Sequence, residues 1–254
     1  MRPDPFSWSL DPGVLVVLVA LTGGYAVAVR RFPAPRSRVA AFATAIVLLA
    51  VVAVTPLHAL TFHLLTAHLL QNVVLAEWAP ALLVLAVPPG LAARIARIAL
   101  VRELTRPVVS LALWLGTYFA WHLPPAYDAA LRHPDTLLNV EHATYLVAGC
   151  LLWWPVLQDE PHRLAPQRRA FYLVAAFLLA SPLGLLLALL PEPVYDWYEG
   201  GFADWDVSAL TDQRIAGVTM AGEEAVVFFA AFSYWFFRFL AAEEVDDSAA
   251  QIEG

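Results

Sequence analysis

Residues 61–89 read TFHLLTAHLLQNVVLAEWAPALLVLAVPP. This stretch decides the fold class. It is long and apolar enough to cross a hydrocarbon core of about 30 Å as a helix. Inside the apolar run stand His63, His68, Gln71, Asn72 and Glu77. Polar side chains in hydrocarbon are costly, so each needs either a buried partner or a task. The rest of the chain supplies candidate partners at matching depth.

Apolar runs of the same kind recur on both sides. The chain has 254 residues, 60 % of them hydrophobic and only 15 % charged, where a soluble domain has about a quarter charged. The sequence therefore predicts an all-α, polytopic membrane protein with a bundle of about seven transmembrane helices. The spans are read as Gly13–Val29, Val39–Val54, Phe62–Val87, Val108–His122, Leu137–Leu157, Phe171–Leu190 and Ala209–Leu240. They form a single transmembrane domain over residues 1–240. The segment 241–254, AAEEVDDSAAQIEG, reads as an acidic, disordered tail.

Arginine placement sets the expected orientation. Arg30, Arg31, Arg36 and Arg38 lie between spans one and two; Arg94, Arg97, Arg102 and Arg106 between three and four; Arg163, Arg168 and Arg169 between five and six; Arg238 closes span seven. By the positive-inside rule the N-terminus is outside and the tail is cytoplasmic in a multi-pass cell-membrane protein. The inner segment GLAARIARIALVREL (90–104) reads as a basic amphipathic helix. Trp197, Tyr198 and Trp205 in the third outer loop suit the headgroup layer.

Several classes are excluded. The net charge of −7 resides in one outer loop and the tail, which argues against a nucleic-acid partner. The single Cys150 allows no internal disulfide and no paired-Cys metal motif. There is no lysine, hence no Schiff base. The N-terminal sequence lacks the pattern of a cleaved signal peptide, so the first span is expected to remain. No hydrolase or ATPase constellation stands out, and the chain is not read as an enzyme.

With that topology His58, His63, His68, His122, His133 and His142 lie at or near the outer face, and only His162 is cytoplasmic. His68 shares a helical face with Gln71 and Asn72. His68 and His142 each sit roughly 9 Å inside their spans at 1.5 Å per residue. Span seven offers Gln213, Gly217, Met220 and Glu224 on one stripe, with Asp212 and Glu223 beside it. Gly217 would let a neighbouring helix approach closely. Imidazole suits copper and zinc, and a thioether adds a preference for Cu(I). His63, His68, His122, His142 and Met220 are thus candidate metal ligands, with Gln71, Asn72, Glu141, Asp212 and Gln213 as candidate partners to orient them. Haem ligation by His68 and His142, a copper or small-solute transport path through Glu77, Glu223 and Glu224, and plain interhelical bonding remain open on the residues alone.

Five strings carry a resemblance: AHLLQNVVLAEWAPALLVLAVP, WHLPPAYDAAL, EHATYLVAGCLLWWPV, HRLAPQRRAFYL and LTDQRIAGVTM. In this order they resemble the multi-span CtaG-type cytochrome c oxidase assembly factors, from about Leu57 to Met220. The resemblance implies a role in maturing the terminal oxidase, with oxidase subunits as partners and copper as the ion delivered. His68, His122, Glu141, His142, Asp212 and Gln213 match that family's recurrent polar residues. Asn72 stands where the family pattern has a second His, and His63 is the residue able to substitute from the loop side.

Overall fold

The computed structural model describes residues 2–253, with side chains described through Glu244. Among the described residues the chain is helical, with no named strand. Five helical stretches are long and apolar enough to cross a membrane. They are α1 (Pro12–Arg31), α2 (Arg36–Val54), the Leu65–Ala86 stretch, α11 (Pro166–Leu189) and the apolar part of α12 (Ala209–Glu253). The Leu65–Ala86 stretch comprises α4 (Leu65–Val73) and α5 (Ala79–Ala86), and between the long stretches lie α3 (Pro56–Leu60), α6 (Pro89–Ile95), α7 (Ala99–Leu104), α8 (Pro107–Trp121), α9 (Pro124–Arg132) and α10 (Asn139–Leu157). Of the seven expected spans, α8 has 15 residues and would cover only about 22 Å. α10 is long enough, but its first turn carries Glu141 and His142.

The stretch 61–89 proves to be the central helix. Its apolar window is 67 % buried, against 0 % for α1 and 6 % for α12. It is one helix with a wide turn: α4 passes through a π-helical segment at Val74–Trp78 into α5. The sequence supplies the cause at Pro80, which has no N–H to donate back into the helix. The π turn re-pairs the backbone just before it, with Ala79 N bonded to Val74 O.

Small residues bring the other helices close. A Cβ on Gly149 of α10 would lie 2.2 Å from the Ala76 carbonyl oxygen. A Cβ on Gly217 would lie 2.5 Å from Ala188 N, so the close approach expected at Gly217 is made, between α11 and α12. Backbone-to-backbone packing of this kind substitutes for the hydrophobic driving force that lipid removes.

Two loops differ from the sequence reading. Residues 90–104 form not one amphipathic helix but α6 and α7, interrupted around Ala96–Ile98. The loop after α8 contains α9 and a second π turn at Pro134–Leu138; Tyr127 and Leu131 of α9 are buried, so it is a roof and not a tether. The helix α12 continues through the segment expected as a tail, as far as Glu253. Side chains beyond Glu244, and residue Gly254, lie outside the described residues.

The two ends of the bundle are chemically distinct. One end holds residues 55–64, α9, the 191–208 loop and the start of α12, cross-linked by Trp197 N to Asp128 Oδ1 (3.1 Å) and Tyr195 OH to the His122 carbonyl (3.1 Å). The other holds most of the arginines, all but Arg2, Arg132 and Arg214. There Arg38 donates to the carbonyls of Leu85 and Val87, and His162 bonds the Arg102 carbonyl at 2.7 Å.

Candidate functional site

His68 enters the site from the first turn of α4 and is fully buried. Its surroundings dictate its tautomer. The Tyr198 hydroxyl donates its one proton to the Thr61 carbonyl at 2.5 Å. Its oxygen, 3.3 Å from His68 Nδ1, is therefore an acceptor, and Nδ1 carries the hydrogen. The remaining nitrogen, Nε2, faces Glu141 Oε1 at 3.5 Å with both side chains fully buried. A lone pair and a carboxylate oxygen aimed at each other repel unless a proton or a metal cation lies between them.

Glu141 is held from the other side as well. Asn72 Nδ2 donates to the same Oε1 at 2.9 Å, and Glu141 Oε2 has no partner among the described residues. Asn72 thus acts on the carboxylate and not on the imidazole. His142, the next residue on α10, has its ring centroid 6.5 Å from that of His68 and 6.4 Å from that of His58. Its Nε2 is buried and has no partner among the described residues.

His122 caps the end of α8. Its Nδ1 is 2.8 Å from the Tyr118 carbonyl, which can only accept, so Nδ1 again carries the hydrogen and Nε2 presents its lone pair. That nitrogen is buried with no partner among the described residues. Orienting an imidazole through the nitrogen opposite the ligating one is the usual way a protein prepares a metal-binding His. Tyr127 stands between the two, its ring 4.7 Å from His68 and 6.1 Å from His122.

The other predicted residues are placed as follows. Met220 is buried on α12, where its sulfur lies 3.5 Å from the Tyr118 hydroxyl oxygen. It lines a cavity of about 10 Å³ with Asn72, Glu77, His122 and Tyr145. That is room for a single water-sized occupant. His63 points away: its Nε2 meets the Pro3 carbonyl at 2.7 Å and its ring leans on Phe202. Asp212 is an N-terminal cap for α4, accepting from Leu65 N (2.5 Å), Thr66 N (3.1 Å) and Thr66 Oγ1 (2.6 Å). Gln213 clamps the outer loop through Val194 N and the Leu187 carbonyl. Gln71 turns to the Val52 carbonyl and to His58 Nδ1. None of these three residues bonds to His68.

Sequence reading missed several members. His58 is placed by the sequence at the outer face without a role, yet it lies against His142 and Gln71. Burial, reinforced by the nearby His68 and opposed by Asp11, lowers its pKa below the usual imidazole range. Tyr198, expected at the headgroups, is buried over His68. Trp197, placed with it, donates to the Phe62 carbonyl at 2.9 Å and lies under Arg2. Trp205 alone of the three is exposed. A cluster of Tyr and Trp in an acidic loop signals either an interfacial belt or an aromatic roof, and periodicity cannot separate them.

Glu77, Glu223 and Glu224 lie deeper. Tyr118 OH donates to Glu224 at 2.7 Å and Trp78 Nε1 donates to Glu223. One oxygen of each of the three carboxyls is buried with no partner among the described residues. The π turn places Glu77 on the same cavity as His122 and Met220. Even so, among the described residues no group of three or more His, Cys, Asp or Glu is gathered closely enough to hold a metal ion.

These features define a helical membrane protein with a buried imidazole–carboxylate layer under a roof of loops. Its family follows from the sequence profile of the cytochrome c oxidase caa3 assembly factors (Caa3_CtaG), which matches residues 23–242. The chain belongs to that family of oxidase assembly factors. No curated protein and no solved structure matches it.

Proposed function

We propose that the protein loads copper at the outer end of its bundle and passes it to a cytochrome c oxidase subunit, as a non-catalytic step of oxidase assembly in the cell membrane. The observation that carries this reading is the state of His68. Its Nδ1 is pinned by Tyr198, and its Nε2 is aimed at Glu141 across 3.5 Å. His142 Nε2 and His122 Nε2 are the next unpartnered imidazole nitrogens, and Met220 shares a cavity with His122. His63 has no part in it. The nitrogens are oriented but not converged, which suits an ion that is handed on, since transfer needs an open coordination position.

Seven spans, an N-terminus outside and a cytoplasmic C-terminal end complete the proposal. The arginine-rich end then faces the cytoplasm and the histidine layer faces the oxidase's outer domains. The test is metal analysis of the purified protein. H68A/H142A is expected to lower copper bound per chain and oxidase activity in cells. Unchanged copper in the double variant sinks the metal site, and a Soret band in the wild type would favour haem. The transport reading draws on the deep carboxyls; copper uptake unaffected by E223Q/E224Q would remove it.

A further inference from the structure

At the arginine-rich end, α5, α10, α11 and α12 surround a cavity of about 810 Å³. Its walls are of two kinds. Leu85, Leu157 and Leu164 supply apolar surface, and Arg163, Arg169 and Arg238 supply charge. Arg169 is buried and engaged: it bonds the Val156 carbonyl at 2.9 Å, pairs with Asp159, and stacks 4.3 Å over the Trp235 ring. That pair cancels the one acid in the lining. Arg163 and Arg238 are exposed, and neither has a hydrogen bond or ion pair among the described residues. The cavity therefore carries about two unneutralised positive charges beside a greasy wall. Tyr234, Phe236 and Phe237 are exposed next to Arg238 on α12, a combination that marks the headgroup level of a bilayer.

We propose that this cavity binds the headgroup of an anionic phospholipid, with the phosphate between Arg163 and Arg238 and the start of an acyl chain along Leu85 and Leu157. Guanidinium forks match phosphate oxygens, and basic pockets between membrane helices are suited to anionic headgroups. A soluble phosphate would use the arginines but not the apolar wall. Arg169, clamped between Asp159 and Trp235, forms the floor and holds α11 to α12.

The full-length protein, reconstituted in nanodiscs of mixed phosphatidylglycerol and phosphatidylcholine, is released for native mass spectrometry. The wild type is expected to retain phosphatidylglycerol selectively. R163Q/R238Q is expected to bind it roughly 30-fold more weakly, at about fivefold per arginine. R97Q, an exposed arginine outside the cavity, is expected to retain it as the wild type does. Neither cavity arginine has a partner among the described residues, so the double variant should keep its melting temperature. If it unfolds, L85W, which fills the cavity without changing its charge, replaces it and should also lose the lipid. Equal retention of both lipids, wild-type retention by R163Q/R238Q or by L85W, or equal loss in R97Q would each overturn the proposal. Displacement of the lipid by inorganic phosphate alone would overturn it in favour of a soluble ligand.

Discussion

Two buried polar layers share one narrow cavity, and they are built in opposite ways. In the outer layer, loops and carbonyls orient the imidazoles: Tyr198 fixes His68 and the Tyr118 carbonyl fixes His122, leaving Nε2 atoms exposed to the interior. In the deeper layer, side chains on the spans themselves hold the acids, Tyr118 on Glu224 and Trp78 on Glu223. The first arrangement offers lone pairs to a cation. The second gives each of those two acids one donor and leaves its other oxygen bare. Depth alone does not decide what a buried polar group does; the source of its donor does.

The comparison breaks most completely if the helices carrying both layers are pushed apart. Gly149 is the contact that lets α10 meet the π turn, with 2.2 Å available to a Cβ. G149L is expected to cost about 3 kcal/mol or more, to lower the melting temperature in detergent sharply and to abolish copper binding together with it. A G149L protein that melts like the wild type would show the layers are not held by this crossing.

A smaller effect separates the layers. Y198F removes the hydroxyl that serves both Thr61 and His68, at a cost of about 1–3 kcal/mol for the stranded groups. It is expected to reduce copper per chain, because His68 can then turn. Its counterpart Y118F strips Glu224 of its donor and should cost a similar 1–3 kcal/mol or so. The Tyr118 carbonyl on His122 is kept, so copper content should hold. Equal copper loss in both variants would merge the two layers into one site.

The mildest change tests a reassigned residue. Asp212 caps α4 from another helix. D212N keeps an acceptor but loses charge, and is expected to lower stability by about 1 kcal/mol. Copper binding should then fall only as far as folding does. A loss of copper without a change in melting would return Asp212 to the site.

Much of the candidate site was legible because polar residues in apolar runs announce themselves. His68, Asn72, Glu141 and His142 stand out in this way, and the structure brings them together. His63 stands out equally and faces Pro3, because a histidine just before a helix start has no fixed face. Asp212 and Gln213 lie at matching depth, yet their carboxylate and amide meet backbone groups of α4 and the 191–208 loop. Backbone groups are invisible in a residue pattern. His58, Tyr127 and Tyr198 were undervalued because they sit in loops, whose path depends on long-range bonds.

What the sequence by itself determined is the helical membrane class, the family, the approximate limits of the helices and the gathering of six histidines at the end opposite most of the arginines. Composition, apolar run length and charge placement are local quantities, and they carry these conclusions. What only the tertiary structure decided is which nitrogen of His68 is free and where Glu77 points. It also showed that the aromatic loop is a roof and that two arginines stand beside an apolar wall with no partner among the described residues. Each of these depends on a donor or acceptor distant in sequence, or on a π turn and a missing Cβ that set helix register to within a fraction of a turn.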